Sequence, residues 1–217
     1  MEPDEFQMLM KARQNVYDLL RCLFLTEPSS EFLQALQQEN FLAHLQGNHP
    51  ELDEGIDRFS SALSSPDISQ RVPELSLEFT RLFIGPTPIP LYESVYRSPE
   101  GLIMQEETLQ VSKQYLEAGL LVNPTQSFPA DHIGAELEFL FFLCTRWPQE
   151  GNPERQKTNL KLQQEFLREH LSVWTAPLCD RLFQEAESPY FQGLAKMAKG
   201  FIAWDYEEIV SHFFEEG

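Results

Sequence analysis

Apolar residues recur at spacings of three and four along almost the whole chain, and clustered prolines interrupt them at only a few places. That period matches one face of an α-helix, not the alternation of a half-buried strand. Over 5–25, Phe6, Leu9, Val16, Leu19, Leu20, Leu23 and Phe24 share a face, and Pro28 ends the run. Shorter helices are expected at 30–37 and around 41–45, then an amphipathic one at 51–63. A stripe of Leu75, Phe79, Leu82 and Phe83 follows Pro73 and stops at Gly85. Beyond it the period predicts helices over 104–118, 133–147, 154–170 and 190–214, with Pro177 starting or interrupting another that runs to about 187. No run of alternating strand residues, repeat or low-complexity segment occurs, so the expected fold class is all-α, a multi-helix bundle.

The stretch Gly85-Pro86-Thr87-Pro88-Ile89-Pro90 cannot be helical, because each proline removes a donor and pushes the preceding residue out of the α region. It is expected to be an extended, semi-rigid connection. The expected organisation is an N-terminal helical lobe over 1–84, a proline-rich hinge over 85–101 and a C-terminal lobe over 102–217. A second proline-bearing loop holds Asn123-Pro124 and Phe128-Pro129. A hinge between helical lobes is compatible with a monomer or a domain-swapped dimer.

Charge narrows the choice of partners. Against 16 basic residues stand 34 acidic ones, a formal net of −18 over 217 residues. Such a surface repels nucleic acid and anionic lipid and attracts a cationic segment, although acidity also serves plain solubility. The N-terminus is acidic where a secretory leader would be basic and then apolar, and no window approaches the roughly 18 apolar residues of a membrane span. A cytoplasmic location without membrane insertion is the expectation. Cys22, Cys144 and Cys179 form no CxxC pair and lie in apolar runs, which suits reduced, buried thiols.

The usual signatures of catalysis are missing from the sequence. None of the five histidines follows a Glu at the i−3 spacing that a di-iron bundle uses. His132 and Glu136 share a helical face, but one such pair supplies too few ligands for a metal. No nucleophile elbow, phosphate loop or dinucleotide fingerprint occurs. The chain is therefore not expected to be an enzyme or to hold a cofactor or metal. A helical hydrolase or metalloenzyme is the contrasting reading, which bound metal or turnover would reveal.

Two segments are more specific than the periodicity: Glu78-Phe-Thr-Arg-Leu-Phe-Ile-Gly-Pro-Thr-Pro-Ile-Pro-Leu-Tyr-Glu-Ser-Val-Tyr96, and Pro129-Ala-Asp-His-Ile-Gly-Ala-Glu-Leu-Glu-Phe-Leu140. In that order they resemble the TorD/DmsD family of redox enzyme maturation chaperones over nearly the whole chain. The resemblance implies two helical lobes, no turnover, and binding of the twin-arginine signal peptide and precursor of a molybdopterin-dependent oxidoreductase, held from export until its cofactor is inserted. A NarJ-like chaperone assembling a nitrate-reductase-type subunit is the neighbouring alternative.

By the resemblance, Phe79, Leu82, Phe83, Tyr92, Ser94, Asp131 and His132 are signal-peptide-binding candidates, and Gly85, Pro86 and Pro90 are hinge positions. Such a peptide offers two arginines and then an apolar stretch, which call for carboxylates at the mouth of an apolar groove. Simpler roles stand beside these. Phe79, Leu82 and Phe83 have core spacing, Asp131 has the place of a helix-terminal carboxylate, His132 suits a structural histidine, and Tyr92 and Tyr96 suit loop packing. Phe128 occupies a position where the family often has Glu, which removes a carboxylate and enlarges the apolar surface.

Overall fold

The computed structural model describes residues 3–38, 41–64, 67–121 and 128–214. The expected loop pair Asn123-Pro124 lies outside them. The chain is all-α: among the described residues no strand forms, and the extended pairing present is an isolated antiparallel bridge between Tyr92 and His132. In chain order the helices are α1 (Pro3–Leu25), α2 (Ser30–Gln38), α3 (Pro50–Leu63), α4 (Val72–Phe83), α5 (Glu93–Arg97), α6 (Glu106–Glu117), α7 (Ile133–Arg146), α8 (Pro153–Phe166), α9 (Ser172–Glu185) and α10 (Pro189–Phe214). Single 3-10 turns lie at Phe41–Leu45, Ile68–Arg71 and Trp147–Gln149, and a π-turn at Leu167–Leu171 precedes α9.

Local chemistry sets the ends of these helices. Asn152 caps α8 by accepting from the Glu154 and Arg155 N–H groups, and Pro153 occupies the first turn, where its missing donor costs nothing. α6 stops at Gly119, whose φ of +82° suits a residue without a Cβ; the Gly119 and Leu120 N–H groups close back on Leu116 and Tyr115.

Two local features differ from expectation. No helix was expected between 85 and 101, whereas 93–97 forms α5, a turn too short to leave a readable period. Pro177 neither begins nor breaks a helix but lies inside α9, which continues past it with one main-chain hydrogen bond fewer.

Backbone contacts group the chain into two compact units, each assembled from separated segments. The first comprises Met1–Phe24, Tyr92–Trp174 and Asp205–Gly217; the second comprises Leu25–Leu91 and Thr175–Trp204. One passage, at 91/92, falls within the proline-rich segment 85–101. The others fall at 24/25, 174/175 and 204/205.

The first unit packs Tyr115, Phe139 and Phe166 into an aromatic cluster with ring centroids 4.6–5.9 Å apart. It also buries an ionic network. Arg13 donates to Asp205 through Nε (2.5 Å) and a terminal nitrogen (2.9 Å), Tyr17 donates to the same carboxylate, and Gln163 accepts from Arg13. Arg13 and Asp205 are both fully buried, and removing one partner of such a pair costs about 3–5 kcal/mol.

In the second unit α3 and α10 meet at backbone distance. A Cβ at Gly200 would stand 2.2 Å from the Leu52 nitrogen, and one at Gly55 would stand 2.3 Å from that of Met197. Phe59, Tyr190, Phe191 and Phe79 fill the core beside this contact. The proline run is anchored here: Ile89 is buried, and its N–H donates to the Leu82 carbonyl at 2.8 Å.

Candidate functional site

Four of the expected site residues converge in the first unit, where the chain entering α5 meets the chain entering α7. The Asp131 carbonyl accepts from the Glu93 N–H (2.9 Å), and its carboxylate Oδ2 accepts from the Ser94 N–H (3.0 Å). Asp131 thus ties down the first turn of α5, a different helix from the one it precedes. Its other oxygen, Oδ1, is buried without a partner, and so is the Ser94 hydroxyl. A buried carboxylate oxygen of this kind is a strong acceptor for an incoming N–H donor.

His132 is the N-cap of α7. Its Nδ1 accepts from the Gly134 N–H at 3.0 Å, which places the proton of the neutral ring on Nε2. The ring lies between Phe128 (4.4 Å between centroids) and Tyr92 (5.3 Å). Burial pushes its pKa down from 6.5 to about 4, against the opposing pull of Asp131. Phe128 therefore completes an aromatic wall beside His132.

A second polar group lies inside the same unit, and periodicity did not disclose it. Glu93 and Glu136 are fully buried, and His170 nearly so. Arg97 pairs with Glu93, and His170 Nδ1 lies 2.8 Å from the same carboxylate. Trp174 donates its indole N–H to Glu136 at 3.0 Å. Burial, then the charge of Glu93, drives the Glu136 carboxyl well above its ordinary range, so this acid holds its proton more tightly than an ordinary carboxyl does. Glu93 and Glu136 both lie within the two informative segments; what marks Glu136 in the sequence is a carboxylate on the inner face of an apolar helix.

The remaining expected residues lie in the second unit. Phe79 and Leu82 are buried in its core. Phe83, half-buried, packs its ring edge-on to Phe79 (5.1 Å) and Phe191 (5.9 Å). Pro86 is exposed, while Gly85 and Pro90 are half-buried. In the first unit, exposed apolar side chains occur elsewhere than sequence suggested: Leu102, Ile103 and Met104 ahead of α6, then Leu109 and Leu116 on one side of that helix. His132 and Glu136 do not act as a pair, since one caps α7 and the other faces Trp174. The cysteines are free; Cys144 and Cys179 are buried, whereas Cys22 is only partly so. Burial pushes the Cys144 thiol up to about 12, the opposite of nucleophile activation.

Residues 45–180 match the family described as Nitrate reductase delta subunit, a stretch covering more than half of the chain. The chain belongs to this family, that of the TorD- and NarJ-type redox enzyme maturation chaperones, which are not catalysts. Its curated relatives include the chaperone protein TorD of Vibrio parahaemolyticus, 24% identical over 93% of this chain and 96% of that one. The chaperone protein TorD of Vibrio atlanticus is 29% identical over 75% of this chain and 78% of its own. A crystal structure of a candidate redox enzyme maturation protein from Archaeoglobus fulgidus superposes with a TM-score of 0.51 at 20% identity. It covers 85% of this chain and 91% of that one, a likeness of fold.

Proposed function

We propose that this chaperone acts in the cytoplasm and binds the twin-arginine signal peptide and precursor of a molybdopterin-dependent oxidoreductase, delaying export until the cofactor is in place. The observation that carries this reading is Asp131, a buried carboxylate with one oxygen unsatisfied, set beside Ser94, Tyr92 and His132 in a family of maturation chaperones. A guanidinium is the group that such an oxygen accepts best. Asp131 is fully buried, so arginine recognition would accompany a local rearrangement rather than dock on a rigid surface.

The exposed side chains of Leu102, Ile103, Met104, Leu109 and Leu116 supply apolar surface for the stretch that follows the arginines. Phe79, Leu82 and Phe83 remain a proposed apolar contribution, with Phe83 the most accessible of the three. The net charge of −18 favours encounter with a cationic segment.

The test is co-purification of a candidate precursor in three forms: intact, with both arginines changed to lysine, and without its signal segment. Retention of the intact form alone supports the proposal, and equal retention of all three contradicts it. The family description favours one further reading, assembly of a nitrate-reductase-type subunit through its mature part. Retention of the signal-less form by a nitrate-reductase-type client would select that alternative.

A further inference from the structure

A groove of about 290 Å³ opens between α6 and the end of α8 in the first unit. α6 contributes Lys113, Gln114 and Glu117 to it; Glu165, Glu169 and His170 line the other side. The groove is bridged rather than collapsed, since the Gln114 side chain donates to Glu169 Oε2 at 2.8 Å. Its carboxylates pair with exposed cations, Lys113 at 3.8 Å from Glu117, Lys161 at 3.6 Å from Glu165 and Arg168 at 2.6 Å from Glu169.

His170 distinguishes this groove from an ordinary acidic surface. Its side chain is about 1% exposed, yet it lines the groove, and its Nε2 is buried without a partner in the protein. The ring cannot turn freely, because Nδ1 is held 2.8 Å from Glu93 Oε2 and the ring packs on Phe166 with centroids 4.9 Å apart. Glu93 is paired with Arg97 and so acts as the acceptor, which puts the proton on Nδ1. With that single proton on the ring, Nε2 offers a lone pair with no donor to meet it. A buried acceptor under a rim of three carboxylates and one lysine is matched by a cation that also donates hydrogen bonds.

We propose that the groove between α6 and α8 is a binding site for a cationic N–H donor, a guanidinium or ammonium group, which donates to His170 Nε2 while Glu117, Glu165 and Glu169 neutralise its charge. The site involves neither Asp131 nor His132 and stands whether or not that pair reads a signal peptide. Its ligand has two possible sources, a basic side chain of a bound protein or a free polyamine-like cation, and both offer the same chemistry. Exchange of the Gln114 bridge to Glu169 for a bond from the ligand would open the groove at little cost.

The test follows the His170 ring resonances by NMR in the full-length protein during titration with agmatine, with an arginine-containing hexapeptide, and with citrulline as the neutral isostere. The expected result is a saturable shift of His170 with agmatine, with the peptide or with both, and none with citrulline. The peptide alone would assign the ligand to a protein side chain, whereas agmatine would admit a free cation. Glu165→Gln and Glu169→Gln are solvent-side changes that should leave thermal unfolding unchanged and weaken the response by about five-fold each, the scale of an exposed ion pair. Asp131→Asn should leave the response intact. Absence of a saturable shift with either cation, or an equal shift with citrulline, would overturn the assignment.

Discussion

Asp131 reaches back 37 residues along the chain to accept the backbone N–H of Ser94 at 3.0 Å, so a side chain ahead of α7 fixes the start of α5. With the Tyr92–His132 bridge beside it, this contact knits the two informative segments into one junction.

Cutting that tie should be costly. Asp131→Ala leaves a buried N–H without an acceptor and is expected to destabilise the fold by about 2 kcal/mol, whereas Asp131→Asn, which keeps an acceptor oxygen, should lose less than half of that. Urea unfolding of the two variants measures the difference, and equal losses would deny the contact its role.

His132 should make stability depend on acid. Its pKa is 6.5 ordinarily and about 4 when folded, so below 6.5 the unfolded chain takes up the proton first. Stability contributed by this residue is complete above pH 6.5 and is lost as pH falls towards 4, in total on the order of 3 kcal/mol. His132→Asn retains a capping oxygen without titrating. The variant should show a flatter pH–stability curve between 4 and 6.5, measured by thermal unfolding.

Glu136 should act with the opposite sign. Its folded pKa lies well above the ordinary 4.5, so from pH 4.5 upwards the folded state holds the proton more tightly and stability declines with rising pH. Glu136→Gln keeps the acceptor for Trp174 but removes the titration. Relative to the parent chain, it should gain stability progressively from pH 5 to pH 8, and a constant offset across that range would count against a protonated Glu136.

Gly200 should tolerate no side chain. With a Cβ placed 2.2 Å from the Leu52 nitrogen, Gly200→Ala forces α3 and α10 apart and is expected to cost about 1–3 kcal/mol. Gly47, with open space around its Cβ position and a φ of +90°, provides the control: Gly47→Ala carries only the backbone penalty of a left-handed residue, about 1 kcal/mol. Thermal unfolding should rank the two variants in that order.

The helices were legible because burial of one face imposes a period, and Phe6 through Phe24 or Leu75 through Phe83 display it directly. α5 was not legible, since five residues make little more than one turn. The Arg13–Asp205 pair and the Glu93–Glu136–His170 group join positions 43 to 192 residues apart, or are recognisable only as carboxylates and basic groups within apolar helices. The ordered segments around Tyr92 and Asp131 made part of the site readable. They could not show that Asp131 ties down a different helix, that His132 is the cap of α7, or that Phe79 and Leu82 are packed into a core.

The measurement closest to the central claim is a calorimetric titration of the full-length chaperone with a synthetic twin-arginine signal peptide, at low and moderate salt, beside the Asp131→Asn variant. The account predicts micromolar or tighter binding that weakens with salt, falls by about ten-fold or more in the variant, and is lost when both arginines become lysine. Salt-independent binding that survives Asp131→Asn and the lysine exchange, or no binding of any candidate reductase peptide, would contradict it.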